Sequence, residues 1–562
     1  MIRYKENPFY LTDEQVKWVE DTYASMTKEE KIGQLFCPIV FTKDEQELKD
    51  LVNNSHIGGM LYREGPGEEL RQAHKVLQDN SKIPLLTASN LEYGGNGSAV
   101  EGTYFGREML VAATGDTEKA YQLGKVSCSE GAAVGVNWSF APVVDLDQNY
   151  HNPITNVRTF GNDLQTVIDM GKAYIRAAKE EDVATSVKHF PGDGVDERDQ
   201  HLLTSVNSLS CEEWDATYGK IYEEMIAAGT LTVMAAHIAM PAYEEKYDGK
   251  KCERIIPATL SKNLLTHLLR EKLGFNGLIT TDATPMVGFC SAMDRATAVP
   301  LSIENGCDMF LFNRNMEEDF RFMTEGYEKG ILSEERLEEA VKRILATKAA
   351  LHLPEKQKEG TLVPDASALE ILNCEKHDTW AKECADQGVT LVKDTQNLLP
   401  ISPEKHRRIL LELMGDFPSN ERVLASFKER LEKEGFEVTV YHNEGFEVME
   451  DSVTNFKSKY DLVFYVANIE TASNKTVSRL NWHTMFGLGN NMPWMVHEVP
   501  ALFVSVGNPY HLLDAPMVKT FVNGYCNSEY VIGAVIDKLL GRSEFKGKSP
   551  IDPFCGKIDL AL

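Results

Sequence analysis

Eight short apolar runs alternate with amphipathic stretches over about the first 350 of the 562 residues. The runs lie near 34–40, 57–61, 84–89, 134–141, 184–190, 231–237, 277–282 and 307–312. Helical periodicity follows them, for example at 68–78, 164–179, 212–228, 261–272 and 317–351. This alternation is typical of a parallel sheet covered by helices. Eight such units predict an α/β fold with a (β/α)8 TIM-type barrel, and a doubly wound open sheet is the structural alternative.

A second βα series follows a polar, irregular stretch at 352–375, which we interpret as a linker in which a helix could begin at Ala366. Its apolar runs lie at 389–392, 409–413, 438–441, 462–466, 502–506 and 520–522, with helical stretches such as 421–434 and 530–540. This pattern predicts a smaller doubly wound α/β sandwich domain. The predicted domains are therefore a barrel at 1–351, the linker, and a C-terminal domain at 376–562.

Charge and cysteine usage limit the partners and the compartment that we expect. A formal net charge of −27 disfavours nucleic acid and anionic membranes as partners. The N-terminus has no apolar signal core, and no run has the length of a membrane span. Ten scattered cysteines without a Cys-x-x-Cys pair predict reduced thiols and a cytoplasmic protein. No metal-ligand spacing and no nucleotide fingerprint is found, so we expect no metal and no cofactor.

Polar residues cluster at the ends of the predicted barrel strands. They are Asn90 and Glu92, Asp145 and Asp147, Lys188 and His189, His237, Asp282, and Asn313 with Arg314. Active sites of such barrels are built at the C-terminal ends of the strands. Any one of these residues could instead cap a helix, and their common placement is what predicts a site.

The richest stretch runs from Lys188 to His201. Lys188 and His189 end an apolar run that stops at Pro191, and Asp199-Gln200-His201 follows in a polar loop. The alternative is a solvated loop whose histidine is paired with a neighbouring carboxylate. The pattern Lys-His-Phe-Pro-Gly-x-Gly … Asp-x-His resembles glycoside hydrolase family 3, in its bacterial β-N-acetylglucosaminidase branch, although most members have His where Asp193 stands.

Further segments carry the same resemblance along the chain. They are 277–282 with Asp282, 141–145 with 158–161, 234–237, and more weakly 505–510 in the second domain. Some positions depart from the usual pattern. Thr281 and Ala283 flank Asp282, where members have Ser before the Asp and β-glucosidases have Trp after it. Asn90 begins a segment that lacks the Asp and the Arg of the family.

The resemblance implies a retaining glycosidase without cofactor or metal. Asp282 would be the nucleophile, His201 the acid/base and Asp199 the residue that orients His201. Lys188, His189 and Arg158 would bind sugar hydroxyls, and Asn90 occupies the place of a sugar-binding Asp. The implied substrate is a terminal β-N-acetylhexosaminide, above all a β-N-acetylglucosaminide, in a setting of cell-wall recycling.

Alternatives stay open at this point. One is a β-glucosidase-type or phosphorolytic enzyme of the same family, because a His donor repels phosphate less than a carboxylate does. Another is a non-catalytic sugar-binding barrel, and a metal-dependent hydrolase is a weaker rival. The oligomeric state and the role of Trp482-His483 do not follow from the sequence, although we favour packing for the latter.

Overall fold

The computed structural model describes residues 2–415, 418–442, 452–469, 472–484 and 490–562. The chain divides into two compact units. The first comprises Met1–Phe105, Ala120–Asn152 and Leu164–Asp378, and the second comprises Gly106–Lys119, Pro153–Asp163 and Thr379–Leu562. Two segments that precede residue 351 therefore cluster with the second unit. No helix in the described ranges is long and apolar enough to cross a membrane.

The first unit contains the predicted barrel of parallel strands. The strands in this unit are β1 (Phe36–Cys37), β2 (Gly59–Leu61), β3 (Leu86–Ser89), β4 (Trp138–Ser139), β5 (Ala184–Phe190), β6 (Ser205–Val206), β7 (Thr232–Ala235), β8 (Ile238–Ala239), β9 (Leu278–Thr281) and β10 (Phe310–Leu311). The pairing order is β2-β3-β4-β5-β7-β9, and β1 pairs with β10. Parallel bridges join Ile39 to Leu61 and Thr280 to Met309, so the ring closes through β1 and β10.

All eight predicted barrel strands are present, but most are shorter than predicted. The run at 134–141 contributes only Trp138 and Ser139 to the ladder, whereas β5 is paired over nearly its whole length. The short pair β6–β8 lies outside the ring and was not predicted. Every residue of β5 is buried, as expected for a strand of a parallel sheet that is covered on both faces.

The helices of the first unit follow the strands, as a barrel requires. They are α1 (Asp13–Ser25), α2 (Lys28–Gln34), α3 (Glu45–Ser55), α4 (Gly67–Asn80), α6 (Thr117–Ala133), α7 (Leu164–Glu180), α8 (Cys211–Trp214), α9 (Lys220–Ala227), α10 (Pro241–Asp248), α11 (Val287–Cys290), α12 (Arg295–Glu304), α13 (Met316–Glu328), α14 (Glu334–Ala350), α15 (Leu353–Glu359) and α16 (Glu375–Gly388). Helix α5 (Glu108–Ala113) and the first residues of α6 belong to a segment of the second unit. Helix α16 begins in the first unit and ends in the second. Two π-helical turns occupy Asp215–Gly219 and Asn263–Lys272.

Two helical predictions need correction. The stretch at 317–351 is not one helix, because Gly330 has a φ of 74° and Ser333 then caps a new helix through its hydroxyl. The stretch at 352–375 is not irregular throughout, since it contains α15, which was not predicted. A helical segment does begin at Ala366, but it is a short 3-10 helix that ends at Ile371. Pro354 does not disturb α15, because it stands in the first turn, where no backbone donor is needed.

The second unit is an α/β sandwich, as predicted. Its strands are β11 (Thr390–Asp394), β12 (Arg408–Met414), β13 (Glu437–Val440), β14 (Leu462–Ala467), β15 (Ala501–Ser505) and β16 (Thr520–Asn523), and its later helices are α17 (Asn420–Lys433), α18 (Val453–Lys459), α19 (Glu529–Leu539) and α20 (Ile558–Ala561). The order β11-β16-β15-β14-β12-β13 is parallel except for the antiparallel edge strand β11. The direction of winding reverses between β12 and β14, which is the doubly wound arrangement.

Candidate active site

The sequence-predicted residues of the first unit lie at the C-terminal ends of its barrel strands. Asn90 follows β3, and Asp282 directly follows β9. Lys188 and His189 are among the last residues of β5. His201 and Asp199 lie in the loop that connects β5 to β6. Because all eight strands of the barrel are parallel, these ends share one rim.

Asp282 is fixed by its own backbone and by the neighbouring strand. Its N–H donates to the carbonyl of Ala235 at 2.7 Å, and its Oδ1 accepts the N–H of Ala283 at 2.7 Å. Burial alone would raise the pKa of this carboxyl, but the imidazoles of His189, His237 and His201 and the Ala283 N–H outweigh burial, so the pKa is lowered. The group is therefore an ionised carboxylate at neutral pH, as a nucleophile must be.

His201 and Asp199 form an imidazole–carboxylate dyad. Nδ1 of His201 lies 2.6 Å from Oδ1 of Asp199, which also accepts the backbone N–H of His201 at 2.8 Å. The Asp199 side chain is fully buried, whereas that of His201 is 23% exposed. The carboxylate thereby fixes the ring through Nδ1 and leaves Nε2 as the nitrogen that can give or take a proton.

The dyad loop is tied to the segment that follows Asp282. The N–H groups of Val287 and Gly288 donate to the carbonyls of His201 and Gln200 at 3.0 and 3.2 Å. The side chain of Gln200 in turn accepts the N–H of His237 at 2.8 Å. Nucleophile and acid/base candidates are thus held by one hydrogen-bonded set of loops.

His237 was named with the strand ends but not predicted as a site residue. Its Nδ1 and Nε2 lie 2.9 Å from Thr259 Oγ1 and 3.0 Å from the carbonyl of Ala283. Burial lowers its pKa, although Asp282 opposes this. Contacts on both ring nitrogens place His237 so that it supports the backbone beside Asp282.

A buried ion pair and an imidazole–carboxylate contact support two of the predicted sugar-binding residues. Nζ of Lys188 lies 2.6 Å from Oε1 of Glu92, with both side chains less than a tenth exposed. Nδ1 of His189 lies 2.6 Å from Oδ2 of Asp145, whose Oδ1 accepts the His189 N–H at 3.1 Å. Sequence reasoning placed Glu92 and Asp145 at the strand ends but missed both pairings, since only the closed barrel brings these loops together.

The two remaining predicted residues differ in their setting. Asn90 directly follows β3 and is partly exposed. Arg158 ends a 3-10 turn at Asn156–Arg158, in the Pro153–Asp163 segment of the second unit, and its Nη1 donates to the carbonyl of Ile154 at 3.2 Å. Its sugar contact stays a prediction.

The chemistry available at this rim is that of acid/base and nucleophilic catalysis. One ionised carboxylate and one oriented imidazole are the two groups that a double displacement needs. The described ranges hold no group of three or more His, Cys, Asp or Glu side chains arranged to bind a metal ion.

Comparisons of the sequence with known proteins agree on one family. Residues 27–347 match the family described as "Glycosyl hydrolase family 3 N terminal domain". A Cellulomonas fimi protein named "Beta-N-acetylglucosaminidase/beta-glucosidase" is 43% identical over all of both chains. A "Beta-hexosaminidase" of Vibrio cholerae is 29% identical over 51% of this chain and 84% of its own length.

Solved structures agree with these sequence relatives. A chain described as "Beta-glucoside phosphorylase BglX bound to 2FGlc" has a TM-score of 0.93 and 45% identity, covering 99% of this chain and all of its own. A family 3 β-N-acetylglucosaminidase from Paenibacillus sp. has a TM-score of 0.77 at 24% identity, covering 94% of this chain and 99% of its own, which supports the fold alone. The family match spans more than half of the chain, and one relative matches over its whole length. The chain therefore belongs to glycosyl hydrolase family 3.

Proposed function

We propose that this glycosidase cleaves terminal β-N-acetylglucosaminides, and also β-glucosides, with retention of configuration. Asp282 attacks the anomeric carbon while His201 protonates the departing oxygen. His201 then removes a proton from the acceptor that releases the sugar from Asp282. The observation that carries this proposal is the 2.6 Å contact between His201 and the buried Asp199.

An oriented imidazole suits both steps of the reaction. Its unperturbed pKa is roughly 6.5, so it can hold a proton for the first step and lose one for the second near neutral pH. Asp199 stabilises the cation that forms when His201 takes the acceptor proton. A histidine that only filled space would not need a fully buried carboxylate on one nitrogen and solvent access on its other side.

The choice of sugar is supported by the Asp-x-His loop and by the double name of the Cellulomonas fimi relative. A panel of aryl β-glycosides of N-acetylglucosamine, N-acetylgalactosamine, glucose and xylose tests it. The N-acetylglucosaminide should have the highest kcat/KM. If the glucoside is faster by about tenfold or more, a difference of about 1.4 kcal/mol, the preference is the reverse of the one proposed.

The same panel tests the non-catalytic alternative. An Asp282→Asn protein, purified identically, corrects for a contaminating glycosidase. Binding of sugars without turnover above this control would identify a sugar-binding protein.

Phosphorolysis is a second candidate function. It is favoured by the relative described as a β-glucoside phosphorylase and by the imidazole of His201, which repels an approaching phosphate less than a carboxylate donor would. In that reaction a phosphate oxygen bonds to the anomeric carbon, the bond to Asp282 breaks, and a sugar 1-phosphate leaves. Product analysis with and without phosphate separates the two reactions, because hydrolysis yields only the free sugar.

A further inference from the structure

The carboxyl group of Asp193 is buried between β5 and the dyad, and half of it has no partner. The residue is 3% exposed. Its Oδ1 accepts the N–H of Gly194 at 2.7 Å and Nδ2 of Asn152 at 3.0 Å. Its Oδ2 is buried without any hydrogen-bond partner among the described residues. An ionised carboxylate would leave that oxygen uncompensated, whereas a protonated one carries no net charge there.

Two other buried carboxyls surround Asp193. Asp145 is 0% and Asp199 is 2% exposed. The N–H of Asp193 donates to Oδ1 of Asp145 at 2.8 Å. Each of these neighbours orients an imidazole, since Asp145 holds His189 and Asp199 holds His201.

The surrounding elements offer Asp193 little positive charge. The titratable groups that face it, directly or through Asp145, are Asp145 in the loop after β4, His189 on β5, Asp199 in its own loop, and Tyr218, whose hydroxyl donates to the Asp193 carbonyl. The only cation among them is His189, when it is protonated, and it is already paired with Asp145. Burial, followed by the charge of Asp145, raises the pKa of Asp193 to about 8.

We propose that Asp193 is a positioning residue that carries its proton at neutral pH and lies between two imidazole–carboxylate pairs. As a neutral acid it fixes the loop through Asn152 and Gly194 without adding a third negative charge. Asp145 and Asp199 can then stay ionised and orient His189 and His201. The role in catalysis rests on the proposed function, but the protonation state does not.

Thermal stability tests the protonation state without any substrate. A carboxyl with a raised pKa in the folded state contributes fully below its unfolded pKa, roughly 3.9, and loses that contribution as the pH rises to about 8. Asp193→Asn has the same shape and cannot ionise. Its Tm relative to the wild type should therefore increase between these two pH values and stay constant above. Asp145→Asn is the control, and it should lower the Tm throughout, because both Asp145 oxygens accept hydrogen bonds.

Infrared difference spectra give a second measurement that needs no folded Asp193 variant. The wild-type site should show a protonated carboxyl band that disappears above about pH 8. Glu412 of the second unit must first be replaced, as Glu412→Gln, because burial raises its pKa to about 8 as well. Absence of the band would contradict the proposal.

The pH profile of kcat/KM tests the positioning role. If Asp193 is neutral in the wild type, Asp193→Asn should not change the apparent pKa of the limb that depends on His201, provided that this limb lies below about pH 7. A shift of that limb to lower pH would mean that an ionised Asp193 had held the proton on His201, and would overturn the proposal, as would a Tm difference that does not change with pH. If no substrate is turned over at all, the proposed function fails while the stability and infrared results still decide the state of Asp193.

Discussion

At the scale of single residues, the candidate site divides its chemistry between a carboxylate and an imidazole. Asp282 stays ionised because three imidazoles lie within electrostatic range of its carboxylate. His201 keeps a free ring nitrogen because Asp199 occupies the other. This division predicts different dependences on the leaving group for substitutions at the two positions.

His201→Ala should damage cleavage of a disaccharide far more than cleavage of a dinitrophenyl glycoside. A sugar alkoxide needs a proton to depart, whereas an acidic phenol does not. The ratio of the two losses in kcat/KM should be about 10²–10⁴, the usual contribution of general acid catalysis. Asp199→Asn should act in the same direction with a smaller effect. Equal losses on both substrates would assign His201 a structural role.

The buried Lys188–Glu92 pair predicts a coupled effect on stability. Lys188→Met removes the cation beside the buried Glu92 carboxylate, which should cost about 3–5 kcal/mol. The double variant Lys188→Met/Glu92→Leu should recover most of that loss, because both charges of the buried pair are then removed. Urea denaturation, followed through the unfolding transition of the barrel, measures the free energy of unfolding of both variants. The double variant should still lack activity if Lys188 binds sugar. Equal destabilisation of the single and double variants would show that the pair is not coupled.

The residues that sequence reasoning found and missed differ in a physical way. Asp199 and His201 are two positions apart, so their contact follows from local geometry. Asp145 and His189 are separated by 44 positions and meet only after the barrel closes. Position at a strand end was visible in the sequence for all of them, whereas the choice of partner was not.

At the scale of elements, apolar runs located every barrel strand but not its ends. The ladder at β4 is only two residues long, although a separate parallel bridge joins Val143 to Lys188 further along the chain. The dyad loop is held by α11 through backbone hydrogen bonds, and a glycine makes that approach possible. A Cβ on Gly288 would lie 2.6 Å from the carbonyl oxygen of Gln200 and 2.8 Å from that of Leu203.

Gly288→Ala should therefore displace the dyad loop without unfolding the barrel. A shift of about 1 Å in a catalytic group can cost about 10²-fold in rate. We expect a loss of that order in kcat on a disaccharide, with a Tm near that of the wild type. Gly65→Ala is the matched control, since its nearest neighbours would lie at an ordinary 3.7 Å. Full activity of Gly288→Ala would show that the loop adapts and that its position is not fixed by α11.

At the scale of the whole molecule, neither unit is a single continuous stretch of the chain. The segments Gly106–Lys119 and Pro153–Asp163 lie within the barrel sequence but cluster with residues after 379. All six residues of α5 are buried, and the carbonyl of Ala113 accepts the N–H of Lys548 at 2.9 Å. The sequence showed two βα series but not this exchange, because nothing in a local pattern indicates which core a loop joins.

Truncation after Asp378 should therefore yield an unstable barrel. It would expose α5 and leave the segment around Asn162 without the Pro550 carbonyl that accepts its N–H at 3.3 Å. Size-exclusion chromatography and circular dichroism should show aggregated or partly unfolded protein, with the full chain as control. A monodisperse truncated protein that retains native signals would mean that the barrel does not depend on the second unit.

The most direct test of the central claim is covalent labelling of Asp282. A 2-fluoro sugar with a good leaving group should form a glycosyl–enzyme that accumulates, because the fluorine slows both steps and the good leaving group accelerates only the first. Peptide mass spectrometry should find the added sugar on Asp282, and Asp282→Asn should neither be labelled nor turn over substrate, although it remains folded. A label on another carboxylate, or near-normal activity of Asp282→Asn, would contradict the assignment of the nucleophile.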